Sequence, residues 1–115
     1  MPEKNSKNIQ TLARNIQKDP DDLFSKFALA LELLKENSVD KARLLFESVY
    51  KQDPGYTGVY YHLGKLYEQT GLPEKALQIY HEGIDVAEQK NELRTKSELL
   101  EAINQLDYDP KHNEL

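Results

Sequence analysis

The side chains able to do chemistry in this sequence are three histidines, His62, His81 and His112, and a scatter of carboxylates that includes Glu32, Glu36, Asp40, Glu47, Glu68, Glu74, Glu82 and Asp85. Metal binding needs ligands repeated at short, fixed spacing, and the histidines make no i, i+3 or i+4 pair with one another. General acid–base or nucleophilic work would need a His–carboxylate–nucleophile set, a nucleophile elbow or a Gly-rich phosphate loop, and none of these patterns occurs. Cysteine is absent, so disulfides, thiol catalysis and thiolate metal sites are excluded. The expectation is a chain with no catalytic residues, no metal and no cofactor, whose carboxylates are solvated helix faces and whose remaining chemistry is recognition by a surface.

The totals say which surfaces it could meet. A net charge of −5 argues against a broad nucleic-acid or anionic membrane interface, both of which need Lys and Arg to replace counterions. Hydrophobic content of 38% with 30% charged residues suits one small domain that buries a thin core. Seven Tyr against three Phe and no Trp make many of the large side chains apolar in the body and polar at the tip. The opening MPEKNSKN lacks the apolar core of a signal peptide. No apolar run approaches the roughly 18 residues of a membrane span. A cytoplasmic protein is expected.

The elements that must position such a surface are helices. Ile9, Leu12, Ala13 and Ile16 share one helical face in a segment capped by Ser6 and ended by Asp19-Pro20. This stretch is also the locally basic one, with Lys4, Lys7, Arg14 and Lys18 on a solvated face. Asp21 or Asp22 caps the next helix, from Leu23 to about Glu36, whose apolar residues run nearly all the way round. Asn37-Ser38 makes a turn, and Ser38 caps a helix to about Gln52 that Asp53-Pro54-Gly55 stops. A helix from near Thr57 closes at Gly71, a left-handed cap position, and Pro73 opens the following helix, which runs to about Lys90. A last amphipathic helix spans about Leu93 to Leu106, or starts two residues later if Thr95 and Glu98 form a capping box. No segment alternates with period two, so the chain is read as all-α.

A shift of 34 residues superimposes Leu29 on Leu63, Ala30 on Gly64, Leu33 on Tyr67, Lys41 on Lys75, Ala42 on Ala76, Phe46 on Tyr80 and Asp19-Pro20 on Asp53-Pro54. That period is the signature of helix-hairpin arrays. Tyr60, Leu63, Gly64, Tyr67, Ala76 and Tyr80 follow the pattern aromatic-x2-Leu-Gly-x2-Tyr, then Ala-x3-Phe. Here the chain resembles the tetratricopeptide repeat family, and its layout is similar to small bacterial members of about this size. The first copy keeps Leu29, Ala30, Leu33, Ala42, Phe46 and Pro54 but has Lys26 in place of the aromatic, and the second has Glu88 in place of the closing proline. The resemblance implies a short right-handed α-solenoid of antiparallel hairpins, about six helices. The expected bounds are one domain over 7–106, with a cap helix at 7–18, repeats at 23–56 and 57–90, a second cap helix at 93–106 and flexible tails at 1–6 and 107–115. Gly64 and Ala30 are expected where the helices of a hairpin approach closely, facing Ala76 and Ala42.

The resemblance also implies a non-catalytic interaction module or scaffold that holds a peptide or helix of a partner protein in a concave groove lined by the first helix of each repeat. The lining would be Phe24, Phe27, Leu31, Leu34 and Lys35 from the first copy and Tyr61, His62, Lys65, Glu68 and Gln69 from the second. The apolar first set leaves other readings open: Phe27 and Leu31 belong to the core or lie beneath a terminal helix, or the face pairs with its twin in a homodimer. A family subset grips a peptide's terminal carboxylate with Lys, Asn and Arg. The matching positions here, Phe27, Leu31, His62, Glu92 and Lys96, offer a suitable charge only at Lys96, which argues against that mode.

Overall fold

The computed structural model describes residues 2–107, with side chains described over 7–106. Of the expected tail at 107–115, Asp107 ends the last helix and residues 108–115 lie outside the described residues. Six α-helices and no strands occur among those described, in two compact units divided between Pro54 and Gly55. Unit one holds α1 (Pro2–Lys18), α2 (Leu23–Lys35) and α3 (Val39–Gln52), with α1 packed on α2 and α2 on α3. Unit two holds α4 (Gly58–Gln69), α5 (Pro73–Gln89) and α6 (Leu93–Asp107). In it α4 packs on α5 and α5 on α6, while α4 and α6 touch more lightly.

The helix ends explain the segmentation. Asp22 caps α2, its carboxylate accepting from the Ser25 amide at 3.1 Å and from the Ser25 hydroxyl at 2.7 Å. These bonds, the hydroxyl's first, hold the Asp22 carboxyl below its usual range. Ser25 is buried by the same arrangement. Three turns close in one way. Asn37 (φ 62°), Gly71 (φ 81°) and Asn91 (φ 62°) each take a left-handed conformation. The next amide reaches back to Leu33, Tyr67 or Ala87, each at 2.8 Å, and the left-handed residue's own amide to Leu34, Glu68 or Glu88. This is the Schellman arrangement, satisfying carbonyls that the helix end leaves over.

Asn91 therefore ends α5 where no proline does. A Cβ at Gly71 would meet nothing within 4 Å, so a side chain there costs only backbone strain. Gly71→Ala is expected to lower stability by about 1 kcal/mol relative to Gly71→Asn, since asparagine tolerates this region and alanine does not. Urea midpoints compare the two, and equal midpoints would contradict the motif.

Two expectations about helix caps are corrected, while the last helix starts at Leu93 as expected and its alternative start does not occur. α1 begins at Pro2, upstream of Ser6, because a first-turn proline gives up an amide that the helix would not have bonded. Ser38 precedes α3 but makes no side-chain cap bond. The Thr95–Glu98 box is not used, since α6 starts at Leu93 and the Lys96 amide bonds the Glu92 carbonyl as an ordinary first turn.

The two units reach similar hairpins with volume distributed differently. In unit two, fully buried Tyr60 packs on Gly83, where an added Cβ would stand 2.6 Å from the Tyr60 Cβ. Unit one has Lys26 and Val49 at those places. Lys26 Nζ donates to Ser48 Oγ at 3.1 Å and Gln52 Oε1 at 2.8 Å, clamping α2 to α3 by hydrogen bonds while Val49 supplies the bulk from α3. Gln52 Nε2 adds a bond to the Asp21 carbonyl at 2.8 Å.

The second crossing shows the same trade. At the corresponding places unit one has Ala30 and Phe46, both fully buried, and Phe46 lies edge-on to Phe27 at 5.5 Å and 67°. Unit two has Gly64 opposite Tyr80, whose hydroxyl donates to Glu68 Oε2 at 2.5 Å. The polar tip draws the ring across Gly64, so that a Cβ there would fall 2.0 Å from the Tyr80 Cε1.

Candidate functional site

The residues selected from the sequence are held by two different units. On α2, Phe24 is 70% exposed, while Leu31 and Leu34 are half-buried. Phe27 is half-buried and spends its ring edge on Phe46, so it serves the α2–α3 contact. Lys35 is exposed and pairs with Glu32 at 3.3 Å. Unit one also has a cleft of about 490 Å³ lined by Asp21, Leu44, Glu47, Ser48, Lys51 and Gln52, none of them among the selected residues.

In unit two the selected residues converge more closely. Tyr61 and His62 on α4 form one wall of a cleft of about 610 Å³. Their rings meet edge-to-face at 5.6 Å and 85°. The opposite wall is Ser97, Glu98 and Glu101 of α6. Lys65 does not line the cleft. Its Nζ stands 5.6 Å from the Tyr61 ring centroid and 4.0 Å from Glu68 Oε2. Glu68 is occupied by the Tyr80 hydroxyl, which makes it a packing residue rather than a free surface group. Burial and then the Glu68 carboxylate push the Tyr80 phenol far above the ordinary tyrosine range, so it remains a neutral donor. Gln69 is exposed beyond the cleft.

Ser97, Glu98 and Glu101 were missed by the sequence reading, yet a signal exists. Leu63, Leu66 and Tyr67 of α4 are buried, and Leu99, Ala102 and Ile103 of α6 repeat that pattern 36 residues on. The same shift carries Tyr61, His62 and Lys65 onto Ser97, Glu98 and Glu101. The step is longer than 34 because α5 runs to Gln89, whereas a 34-residue shift of the α3 end would stop it at Val86. Lys96, the one suitable carboxylate-clamp position, bridges to Glu88 at 2.8 Å. Glu92 accepts from the Thr57 hydroxyl at 2.6 Å.

Burial lowers the His62 pKa from its ordinary 6.5, against a weaker upward pull from Glu98. A neutral imidazole buried in this way costs stability when it must charge. Below the unfolded value of 6.5 the unfolded chain takes up the proton first, so stability is full above that pH and falls as pH drops toward the folded value. His62→Gln is expected to reduce this acid-side loss. Melting temperatures of both proteins across the weakly acidic range check it, and parallel slopes would contradict it.

Among the described residues no group of three or more His, Cys, Asp or Glu is placed to hold a metal ion, and no helix is long and apolar enough to cross a membrane. What the cleft offers is an aromatic wall and a carboxylate wall, the means of non-covalent recognition.

The tetratricopeptide repeat family model matches residues 33–95. A tetratricopeptide repeat domain protein from Salinibacter ruber, known from a crystal structure, is 41% identical over 75% of this chain and 96% of its own, with a TM-score of 0.72. A protein from Bordetella parapertussis shares the fold at a TM-score of 0.76, covering 89% of each chain at 20% identity. YrrB, described as a tetratricopeptide repeat protein with an unusual peptide-binding site, is 25% identical over 89% of this chain and 50% of its own, with a TM-score of 0.73. No curated protein matches the chain. Its helices, its 34-residue period and these likenesses agree: the chain belongs to the tetratricopeptide repeat family, an all-α solenoid class of protein-interaction scaffolds.

Proposed function

We propose that this protein is a non-catalytic interaction module that binds a peptide segment of a partner protein in the α4–α6 cleft of unit two. The observation that carries the reading is the cleft itself, with Tyr61 and His62 facing Ser97, Glu98 and Glu101 at positions that packing leaves over. An amphipathic ring wall gives a peptide apolar area at low entropy cost, and the polar wall supplies direction. The likeness to YrrB supports peptide as the ligand class. In this reading residues 23–56 and 57–90 are the two repeats, and the helices before and after them are caps that cover their apolar sides.

A second reading has its own observation. The Phe24 side chain is 70% exposed on α2 with Leu31 and Leu34 beside it, a face that a second copy of the chain could cover in a homodimer. Sedimentation at micromolar concentration separates the two, with Phe24→Glu as the control. A monomer for both proteins favours the peptide module. A wild-type dimer that Phe24→Glu dissociates favours self-association. The peptide reading is tested by selecting binders from a displayed peptide library and counter-screening them against Tyr61→Glu. Selected peptides are expected to lose binding to that variant while its melting temperature stays near wild type. Peptides that bind both proteins equally would overturn the assignment of the cleft.

A further inference from the structure

We propose that the cleft's ligand is a basic peptide segment, with an arginine or lysine stem lying along the Tyr61 wall and its cation held between Glu98 and Glu101. The proposal rests on the peptide-binding reading above and adds the chemistry of the ligand. Among the described residues the cleft is lined by two carboxylates and by no lysine or arginine. Neither carboxylate is neutralised from within the described residues. Glu98 makes no hydrogen bond or ion pair among them, and Glu101 accepts only from the uncharged Gln105 amide at 3.4 Å. Of the nearby cations, Lys96 bridges to Glu88 on α5 and Lys65 to Glu68 on α4, while Arg94, one turn before Glu98 on α6, makes no ion pair with it among the described residues.

Glu98 and Glu101 stand three residues apart and so share one helix face, where like charges repel. A cation inserted between them removes that repulsion and gains two charge-assisted hydrogen bonds. Tyr61 suits the same ligand. Its ring already takes the Lys65 ammonium at 5.6 Å from its centroid, and the part of the ring that lines the cleft is where the stem of a basic side chain would lie. His62 is half-buried, and the lowering of its pKa from 6.5 by burial disfavours a positive charge there. The overall charge of −5 favours approach of a basic segment.

The test uses the full chain and three short synthetic peptides with the same aliphatic residues and a central pair of Arg, Gln or Glu, measured by isothermal titration. The Arg peptide is expected to bind about tenfold more tightly than the Gln peptide, the worth of two partly exposed charge pairs, and to weaken with salt. E98Q/E101Q is expected to remove that advantage without altering binding of the Gln peptide. Tyr61→Ala is expected to weaken both. Both glutamates are exposed, so the double variant is expected to keep its melting temperature. Equal binding of all three peptides, preference for the Glu peptide, or an unchanged Arg preference in E98Q/E101Q would overturn the charge assignment and leave the peptide-binding reading in place. Failure of all three peptides to bind would overturn both.

Discussion

Gly64→Leu is expected to lower the stability of the protein by about 3 kcal/mol, at the upper end of what overpacking costs. For a domain of this size that corresponds to a fall in melting temperature on the order of 10–20 °C. Even the first carbon of the new side chain would fall 2.0 Å from Tyr80 Cε1 and 2.4 Å from Cζ. The ring has little room to yield, because Tyr80 is fully buried and its hydroxyl is held by Glu68 at 2.5 Å. The usual gain of about 1 kcal/mol from removing a mid-helix glycine does not offset such a clash. Unit one supplies the control, since Ala30, Leu34 and Phe46 occupy the places of Gly64, Glu68 and Tyr80. The triple change Gly64→Ala/Glu68→Leu/Tyr80→Phe frees the ring from its carboxylate and is expected to cost less than Gly64→Ala alone. Thermal unfolding of the three variants measures this. A Gly64→Leu protein that melts with wild type would contradict the close approach of α4 and α5.

Phe46→Ala is expected to cost about 3–5 kcal/mol, the range for truncating a fully buried aromatic. Phe46 has no exposed surface and meets Phe27 edge-on at 5.5 Å. Its removal loses the transfer energy of the ring and leaves a void in the buried core of unit one. Phe46→Tyr tests the surroundings differently. In unit one the place of Glu68 is taken by Leu34, so the new hydroxyl gains no counterpart of that carboxylate and is expected to destabilise. Urea unfolding followed by circular dichroism distinguishes the two losses. A Phe46→Ala variant within about 1 kcal/mol of wild type would show that the ring is not the centre of the α2–α3 contact.

How much of this was legible in the sequence depends on what each residue reports. Packing positions were legible because size recurs. Leu63, Gly64, Ala76 and Tyr80 are all buried, as are Leu29, Ala30, Ala42 and Phe46 one period earlier. The turns were partly legible. Gly71 announces a left-handed residue, while Asn37 and Asn91 adopt the same conformation without announcing it. The starts of α3 at Val39 and α6 at Leu93 were legible, but Ser38 makes no cap bond and the Thr95–Glu98 box is not used, because a residue with cap chemistry need not use it. The site was the least legible part. Glu68 reads as a surface carboxylate until Tyr80, twelve residues away, claims it. Phe27 reads as a groove residue until Phe46 meets its edge. Ser97, Glu98 and Glu101 stayed hidden because α5 is extended and carries the next helix out of the 34-residue register. For Glu68 and Phe27 a partner distant in sequence sets the contact that the side chain makes.

The central claim is that recognition belongs to the residues interleaved with the packing set of unit two. The most direct measurement is an amide chemical-shift footprint of the isotope-labelled protein with a peptide selected against it. The account predicts perturbations centred on Tyr61, His62, Ser97, Glu98 and Glu101. A footprint centred on Phe24, Leu31 and Leu34, or on Leu44 and Lys51, would contradict it.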